Sequence, residues 1–143
     1  METECRVHTL VADVAIFSEN QVLLVRYADM AKYDNQSGWF LPDDELKYLE
    51  HPERAGARIL EEQLGLSRLK PRLDHIESFK GDNGTWHMSF HNKLVLDRMP
   101  RLNTSNALAD AKWFELRKLP ARGEVAHHGW ALHVLGTMAK GHS

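Results

Sequence analysis

The segment 39–66, which reads WFLPDDELKYLEHPERAGARILEEQLGL, holds the residue types whose spacing could do chemistry. Three consecutive carboxylates begin at Asp43, and Arg58 precedes Glu62 by four residues on a predicted helix. Residues four apart lie on the same face of a helix. Carboxylate oxygens are ligands that Mg²⁺ accepts, and an arginine holds a carboxylate through a charge-assisted pair. This segment is therefore the candidate site of the chain.

The spacing resembles the box of the Nudix superfamily, G-x5-E-x7-R-E-U-x-E-E-x-G-U, in which U is a bulky aliphatic residue. Anchored at Gly65-Leu66, the box fits without gaps. A frame shifted by one residue matches at three positions, whereas this frame matches at six of nine: Glu50, Arg58, Leu60, Glu62, Gly65 and Leu66. The sequence departs from the box where Asp44 replaces its leading glycine and where Ile59 and Gln63 replace two of its glutamates.

The resemblance implies hydrolysis of the pyrophosphate bond in a nucleoside diphosphate that is linked to another moiety. In such enzymes Mg²⁺ or Mn²⁺ positions the attacking water and neutralises charge on the phosphoryl oxygens. The resemblance implies Glu62, Arg58 and Glu124 as catalytic residues, Glu62, Gln63 and Asp44 as metal ligands, and Glu50 and Gly65 as structural residues of the box.

The departures from the box predict weak metal binding. Gln63 offers an oxygen without charge and Ile59 offers no ligand, so two negative charges are missing from the expected site. The carboxylates at 43–45 could supply charge instead. Two functions stay open: a weakened hydrolase, and a catalytically inactive Nudix-fold module that binds a nucleotide or an ADP-ribose-like ligand.

Four further residues are candidates for substrate binding. Arg26 suits phosphate and Tyr27 could stack on a base, and both end the second predicted strand. Trp39 and Trp86 could also stack on a base, although large aromatic residues in strands mostly belong to the core. Asp13 lies in an apolar strand, and a buried carboxylate needs a partner. We expect Asp13 to pair with a base such as Arg26 or to line the pocket.

The elements that must position these residues follow from apolar periodicity and turn signals. The predicted order is β-β-β-α-β-β-β-α, with strands at 10–17, 22–27, 39–41, 72–79, 86–96 and 110–116 and helices at 52–64 and 127–140. Turns are predicted at 18–21 and 81–84, and Gly141 is expected to end the second helix. This order predicts the α/β (α+β) class, and the resemblance implies an α/β/α sandwich with a mixed sheet between helices. The whole chain, 1–143, is interpreted as a single Nudix-like domain.

The position of Ile59 on the first helix determines whether the missing box glutamate could be restored without loss of stability. A stripe at i, i+3 and i+7 predicts the buried residues of this helix: Ala57, Leu60 and Leu64. Ile59 and Gln63 would then lie off the apolar face. The double change Ile59→Glu with Gln63→Glu is therefore expected to restore metal binding at a folding cost of ~1 kcal/mol or less.

Composition narrows the function classes. The chain has 143 residues, a net charge of −2 and one cysteine. A slightly acidic chain is not expected to bind nucleic acid strongly, because such binders carry a basic stripe. Cys5 cannot form an internal disulfide, no secretory segment follows Met1, and no apolar run approaches the ~20 residues of a membrane span. We expect a cytoplasmic protein that binds a small nucleotide derivative and no membrane, and the resemblance is compatible with a homodimer.

The nine histidines raise the question of a transition-metal site. His87 and His91 share a strand face, but four residues of strand separate them by about 13 Å. No Cys/His spacing resembles a zinc site. The sequence alone therefore predicts no histidine metal site.

Overall fold

The computed structural model describes residues 8–33, 35–81 and 84–140. Its elements occur in the predicted order: β1 (His8–Ser18), β2 (Gln21–Tyr27), β3 (Asp43–Glu45), α1 (Pro52–Leu64), β4 (Arg72–Lys80), β5 (Trp86–Leu96), β6 (Leu108–Glu115) and α2 (Ala126–Lys140). Short 3-10 turns at Met30–Tyr33 and Arg122–Glu124 precede β3 and α2. Cys5, positions 82 and 83 of the predicted turn, and Gly141 lie outside the described residues.

The strands form one mixed sheet, as predicted. Five strands follow the order β4-β5-β1-β2-β6. The sixth strand, β3, pairs with β1 and stands outside this order. β1 and β5 run parallel from the pair His8 and Trp86 to the pair Ser18 and Leu96, whereas the other neighbours are antiparallel. The β1–β2 hairpin turns at Glu19 and Asn20, whose φ angles of 51° and 64° suit the tight turns that match strand twist.

The third strand differs from the prediction. Trp39 and Phe40 form only isolated bridges, to Val125 and Val25 respectively. The strand is instead Asp43–Glu45, which pairs with β1. Three consecutive acidic residues have a low strand propensity, so the pairing with β1, rather than local preference, makes this segment extended.

The two helices cover opposite faces of the sheet. One apolar cluster joins Val14 and Ile16 of β1 to Leu60 and Leu64 of α1. A second cluster joins Ala15 of β1 to α2 and to β2. Because successive strand residues point to opposite faces, even-numbered residues in the middle of β1 face α1 and odd-numbered ones face α2.

α1 begins and ends where the sequence predicts. Pro52 occupies its first turn, where the missing N–H costs nothing, and the His51 ring accepts a hydrogen bond from the Glu53 N–H. Gly65 ends it at φ 69°, and a Cβ there would lie 2.8 Å from Cβ of Asn103. A side chain at position 65 would therefore meet both backbone strain and a clash.

The predicted apolar face of α1 is wrong at Ile59. This side chain is 0% exposed and packs in a cluster with Ala12, Ala55 and the partly buried Leu46 and Phe90. The buried face is wider than one stripe because α1 contacts β1 and β3 as well as β4 and β5. A wide interface buries neighbouring helix positions such as 59 and 60 together.

α2 also differs from the prediction at its start. His127, His128 and Gly129 have φ angles of 54°, 57° and 87°, so three residues in succession are left-handed and the regular helix begins after them. The Arg122 guanidinium donates to the His128 carbonyl across this turn. No helix within the described ranges is long and apolar enough to span a membrane.

Candidate functional site

Arg58 is the centre of the box in the folded chain. Its Nε and Nη2 donate to the two carboxylate oxygens of Glu50 at 2.8 and 3.0 Å, and its Nη1 donates to Asp44 at 2.8 Å and to Glu62 at 3.2 Å. Nη2 also donates to the Glu45 carbonyl at 2.9 Å. The Arg58 side chain is only 13% exposed. One guanidinium therefore gathers the acidic loop and the box helix into a single network.

Glu50 connects this network to the loop that precedes α1. Its Oε1 accepts the Lys47 N–H at 3.0 Å in addition to the Arg58 pair. The hydrogen bond from Arg58 lowers the pKa of the Glu50 carboxyl below its ordinary value, against the opposing effect of burial. The same pairing, led by Glu50 and then by Asp44, raises the pKa of the Arg58 guanidinium. Glu50 and Arg58 therefore form an ion pair at neutral pH.

Gln63 takes part in a closed polar ring rather than facing solvent. The Tyr27 hydroxyl donates to its Oε1 at 2.9 Å, and its Nε2 donates to the Asp43 carbonyl at 2.8 Å. The Asp43 N–H donates back to the Tyr27 hydroxyl at 2.8 Å. Burial raises the pKa of the Tyr27 phenol well above its ordinary value, so this hydroxyl keeps its proton. The amide oxygen that could have contacted a metal is already used by Tyr27.

These contacts do not fit the multi-ion magnesium site that the resemblance implies. Ile59 lies in the apolar core, and Gln63 is bound to Tyr27 and Asp43. Glu62 is 55% exposed and Asp44 is partly exposed, but both pair with Arg58. In the described chain the charge that balances the box carboxylates is therefore a guanidinium.

The predicted substrate residues do not form one group. Arg26 and Tyr27 are consecutive in β2 and point to opposite faces of the sheet. Arg26 lies with its guanidinium carbon 4.3 Å from the centre of the Trp39 ring, and Trp39 packs in the cluster under α2. Tyr27 lies on the α1 face beside Gln63. Trp86 starts β5, where it is half-exposed and donates to Ser78.

An aromatic group beside Gln63 was missed by the sequence analysis. The rings of Tyr27 and Tyr33 stack with centroids 3.6 Å apart, and Phe40 meets both rings edge-on. The His127 ring lies 5.9 Å from Phe40, and the His127 N–H donates to Gln36. Tyr33 lies in a loop of mixed composition, so no periodic signal marked it. These contacts bring Tyr33, Gln36 and the start of α2 to the box side of the sheet.

Glu124 is placed by its backbone. Its carbonyl accepts the Trp39 N–H at 3.0 Å, and the residue is exposed in the turn before α2. The contacts of Arg58 described above do not include it. The structure thus brings Glu50, Arg58 and Glu62 together and leaves Glu124 as a separate candidate.

Asp13 pairs with a base, as expected, but the base is His91 rather than Arg26. Its Oδ2 lies 2.7 Å from Nδ1 of His91, and Nε2 of the same ring lies 2.7 Å from Glu77. Burial raises the pKa of Asp13, and His91 acts in the opposite direction. Burial opposes protonation of His91, but the hydrogen bond to Asp13 and then the charges on Asp13 and Glu77 raise its pKa overall. The expected pair with Arg26 is wrong because His91 lies directly across the β1–β5 ladder.

Comparisons with known proteins place this arrangement in a family. The family model described as the NUDIX domain matches residues 7–133. No curated protein matches the sequence. Among solved structures, a MutT NUDIX hydrolase from Burkholderia pseudomallei aligns over 87% of this chain and 94% of its own, with a TM-score of 0.68 and 22% identity.

Two further structures show the same fold in proteins that are named for other activities. An Ap4A hydrolase from C. elegans aligns over 93% of this chain and 98% of its own, with a TM-score of 0.68 and 16% identity. A bifunctional NMN adenylyltransferase/ADP ribose pyrophosphatase from Francisella tularensis, complexed with AMP and a Mn ion, aligns over 95% of this chain and 43% of its own, with a TM-score of 0.70 and 17% identity. At these identities the likeness shows the fold, and the family match spans most of the chain. The chain therefore belongs to the NUDIX domain family.

Proposed function

We propose that this chain binds a nucleoside diphosphate linked to another moiety on its α1 face and hydrolyses the pyrophosphate bond weakly. The observation that carries the proposal is the Arg58 network. Arg58 holds Asp44, Glu50 and Glu62, while Ile59 is built into the core. The box thus keeps its shape and one exposed carboxylate, Glu62, but has lost most of the charge that would hold a metal.

Similar folds support the choice of ligand class. The Ap4A hydrolase and the ADP ribose pyrophosphatase named above are, by their names, enzymes of nucleotide derivatives. On the α1 face the partly exposed Tyr33 ring, which stacks on the buried Tyr27 ring, offers an aromatic surface that suits a nucleotide base. Arg26 lies beside Trp39 on the other face of the sheet, so the structure does not place it near this surface.

A binding module without catalysis is the second candidate, and Gln63 favours it. The side-chain amide of Gln63 is hydrogen-bonded to both Tyr27 and the Asp43 carbonyl, so its role in this structure is to stabilise the fold. A ligand could then be held on the α1 face without a metal and without turnover. Metal dependence separates the two candidates.

The test is a screen of the purified chain against nucleotide sugars, ADP-ribose, dinucleoside polyphosphates and nucleoside triphosphates, with Mg²⁺ and with Mn²⁺. Chromatography measures the released nucleotide, and calorimetry measures binding without metal. We expect slow, metal-dependent release that Glu62→Gln abolishes. Glu61→Gln, which changes the neighbouring exposed acid, is the matched control and leaves the rate unchanged.

Each other result selects a different function. Binding without release in any metal supports the binding module. Fast release that survives Glu62→Gln shows that another carboxylate, such as Glu124, performs the chemistry. Neither binding nor release of any compound on the panel overturns the proposal.

A further inference from the structure

A second polar cluster lies on the α2 face of the sheet, opposite the box. His75 pairs with His91 across the antiparallel β4–β5 ladder, and Asp13 pairs with His91 across the parallel β1–β5 ladder. Glu77 follows His75 by two residues and so shares its face. One ligand atom from each of His75, Glu77 and His91 lies within 4.8 Å of the other two. The neighbouring strands β4 and β5 therefore bring three metal-binding side chains to one point, and Asp13 of β1 lies against one of them.

We propose that His75, Glu77 and His91 form a binding site for a divalent transition-metal ion of the zinc type, with His133 of α2 as a fourth ligand. Ligand atoms around a tetrahedral zinc ion lie roughly 3.3 Å apart, as bond lengths near 2.0–2.2 Å require. Groups already within 4.8 Å of one another need only small side-chain rotations to reach that spacing.

Carboxylates orient both imidazoles. Nδ1 of His91 lies 2.7 Å from Asp13, and Nδ1 of His75 lies 2.7 Å from Asp74. A metal-binding histidine commonly donates its other ring N–H to a carboxylate, which fixes the tautomer and leaves the second nitrogen for the ion. Here both rings have that arrangement. Nε2 of His75 makes no hydrogen bond within the described chain, and Nε2 of His91 contacts the Glu77 carboxylate, a contact that a bound ion would replace.

The Nε2 atom of His75 supplies the second, independent indication. It is buried and has no hydrogen-bond partner within the described part of the chain. Leaving a buried polar nitrogen without a partner costs free energy. A network that served stability alone gains nothing from this nitrogen, whereas a bound ion would satisfy it.

His133 connects the cluster to α2 and to solvent. Its Nε2 lies 3.1 Å from the second carboxylate oxygen of Glu77, and its side chain is 63% exposed. His91, in contrast, is 0% exposed, and the Trp130 ring of α2 lies 5.6 Å from it. An ion would thus be covered by protein on the His91 side and open to solvent on the His133 side. Through His133 it would link α2 to β4 and β5.

The donor set also indicates the kind of ion. Imidazole nitrogens suit zinc, copper, nickel and cobalt, whereas magnesium takes oxygen ligands. The cluster contains two or three imidazoles and one ligating carboxylate. The site should therefore discriminate against the Mg²⁺ that the opposite face of the sheet would use.

The test titrates Co²⁺ into the chain, prepared without a histidine tag and stripped of metal, and follows the visible absorption of a tetrahedral cobalt site. Zn²⁺ then displaces Co²⁺ against a competing chelator, which gives the zinc affinity. We expect one ion per chain, unaffected by excess Mg²⁺. Loss of an orienting carboxylate in Asp74→Asn should weaken zinc binding about 10- to 100-fold.

The decisive variant is His75→Gln. It removes the ligand atom Nε2, which makes no hydrogen bond, and the glutamine amide can still donate to Asp74 as Nδ1 of His75 does. The metal-free protein should therefore unfold at nearly the same temperature, while zinc affinity falls about 100-fold or more. The control is His87→Gln, which changes a neighbouring histidine of β5 that stacks on Phe79 outside the cluster. It should leave zinc affinity unchanged. If His75→Gln fails to fold, Glu77→Gln takes its place, with the same expected loss of affinity.

Three results would overturn the site. The first is the absence of a cobalt spectrum together with zinc binding no tighter than that of His75→Gln. The second is zinc affinity that His75→Gln leaves intact, and the third is an equal loss of zinc affinity in His75→Gln and His87→Gln. The last two would mean that zinc binds at scattered surface histidines. Because the box lies on the other face, these outcomes do not depend on whether the chain hydrolyses nucleotides.

Discussion

Ile59 shows that a position in a motif does not by itself predict how restoring the motif residue would affect stability. The alignment makes it the place of a lost glutamate, and its spacing suggested an exposed position. In the folded chain it is 0% exposed beside Ala12 and Ala55. A carboxylate placed there would be desolvated. It would also lack a cationic partner, because Arg58 is already shared among Asp44, Glu50 and Glu62.

We therefore expect Ile59→Glu to destabilise the metal-free chain by about 3–5 kcal/mol, the typical cost of an unpaired buried charge. This replaces the small cost predicted from the sequence. Urea unfolding with and without Mg²⁺ measures it, and Mg²⁺ should recover part of the loss if the new carboxylate binds the ion. Ile59→Val, which only removes a methylene, should cost about 1 kcal/mol and show no response to Mg²⁺. A glutamate variant as stable as wild type without metal would contradict the buried position.

Glu50 gives the box a pH dependence. Its carboxyl has a pKa lowered by Arg58 from the ordinary 4.5, so it binds its proton less readily in the folded chain than in the unfolded one. A lowered folded-state pKa contributes stability that is full above the unfolded pKa and is lost as pH falls through the folded pKa.

The expected result is a gap in unfolding free energy between wild type and Glu50→Gln that is constant near neutral pH and narrows below about pH 4.5. Urea midpoints measured from pH 7 to pH 3 would show it. Glu61→Gln, which changes an exposed acid of α1 outside the Arg58 contacts, should give no such gap. A gap that widens on acidification would mean that Glu50 is not held ionised by Arg58.

At the scale of elements, the start of α2 is the least regular part of the described chain. Three left-handed residues, His127 to Gly129, turn the backbone before the helix proper. Non-glycine residues pay about 1–2 kcal/mol each for this conformation. The turn is held by the bond from Arg122 to the His128 carbonyl and by the bond from the His127 N–H to Gln36. It places the His127 ring against Phe40, on the box side.

Two glycines of α2 should respond in opposite directions to the same substitution. Gly129→Ala introduces a Cβ at φ 87° and only 2.6 Å from Cγ of Arg122, so we expect a loss of about 1–2 kcal/mol. Gly136 lies in the regular helix, and a methyl group there would meet open space, so Gly136→Ala should gain about 0.5–1 kcal/mol. Thermal unfolding compares the two variants directly. Equal effects would show that the left-handed turn does not persist in solution.

At the scale of the whole molecule, the sheet separates two polar sites. Arg58 and its carboxylates lie with α1 on one face, and the His91 cluster lies with α2 on the other. Asp13 faces the second site, and its pairing partner in β3, Asp43, contributes its backbone N–H and carbonyl to the first.

Sites without shared partners contribute independently to stability and function. We expect the double variant Glu62→Gln with His75→Gln to lose stability by the sum of the single losses, within about 0.5 kcal/mol. Glu62→Gln should leave zinc affinity unchanged, and His75→Gln should leave nucleotide binding unchanged. Denaturant unfolding and the two binding measurements check this. A clear departure from additivity would reveal coupling through β1.

The sequence by itself determined the order of the elements, the mixed class of the sheet and both ends of α1. These features depend on local chemistry: apolar periodicity, Pro52 in a first helical turn and Gly65 at a left-handed end. The box spacing also identified the family, because residues at fixed intervals on one helix are local information. Local signals failed at β3, since three acidic residues are extended there only by pairing with β1.

Only the tertiary structure decided which side chains meet. Arg58 reaches Asp44 across 14 positions of sequence, and His91 reaches Asp13 across 78. Strand pairing and register set these contacts, and no sequence interval encodes them. For the same reason the sequence pattern relates His91 to His87 on its own strand, whereas its neighbour in space is His75 on the next. The burial of Ile59 likewise depends on how widely α1 covers the sheet, which is a property of the assembled layers rather than of the helix.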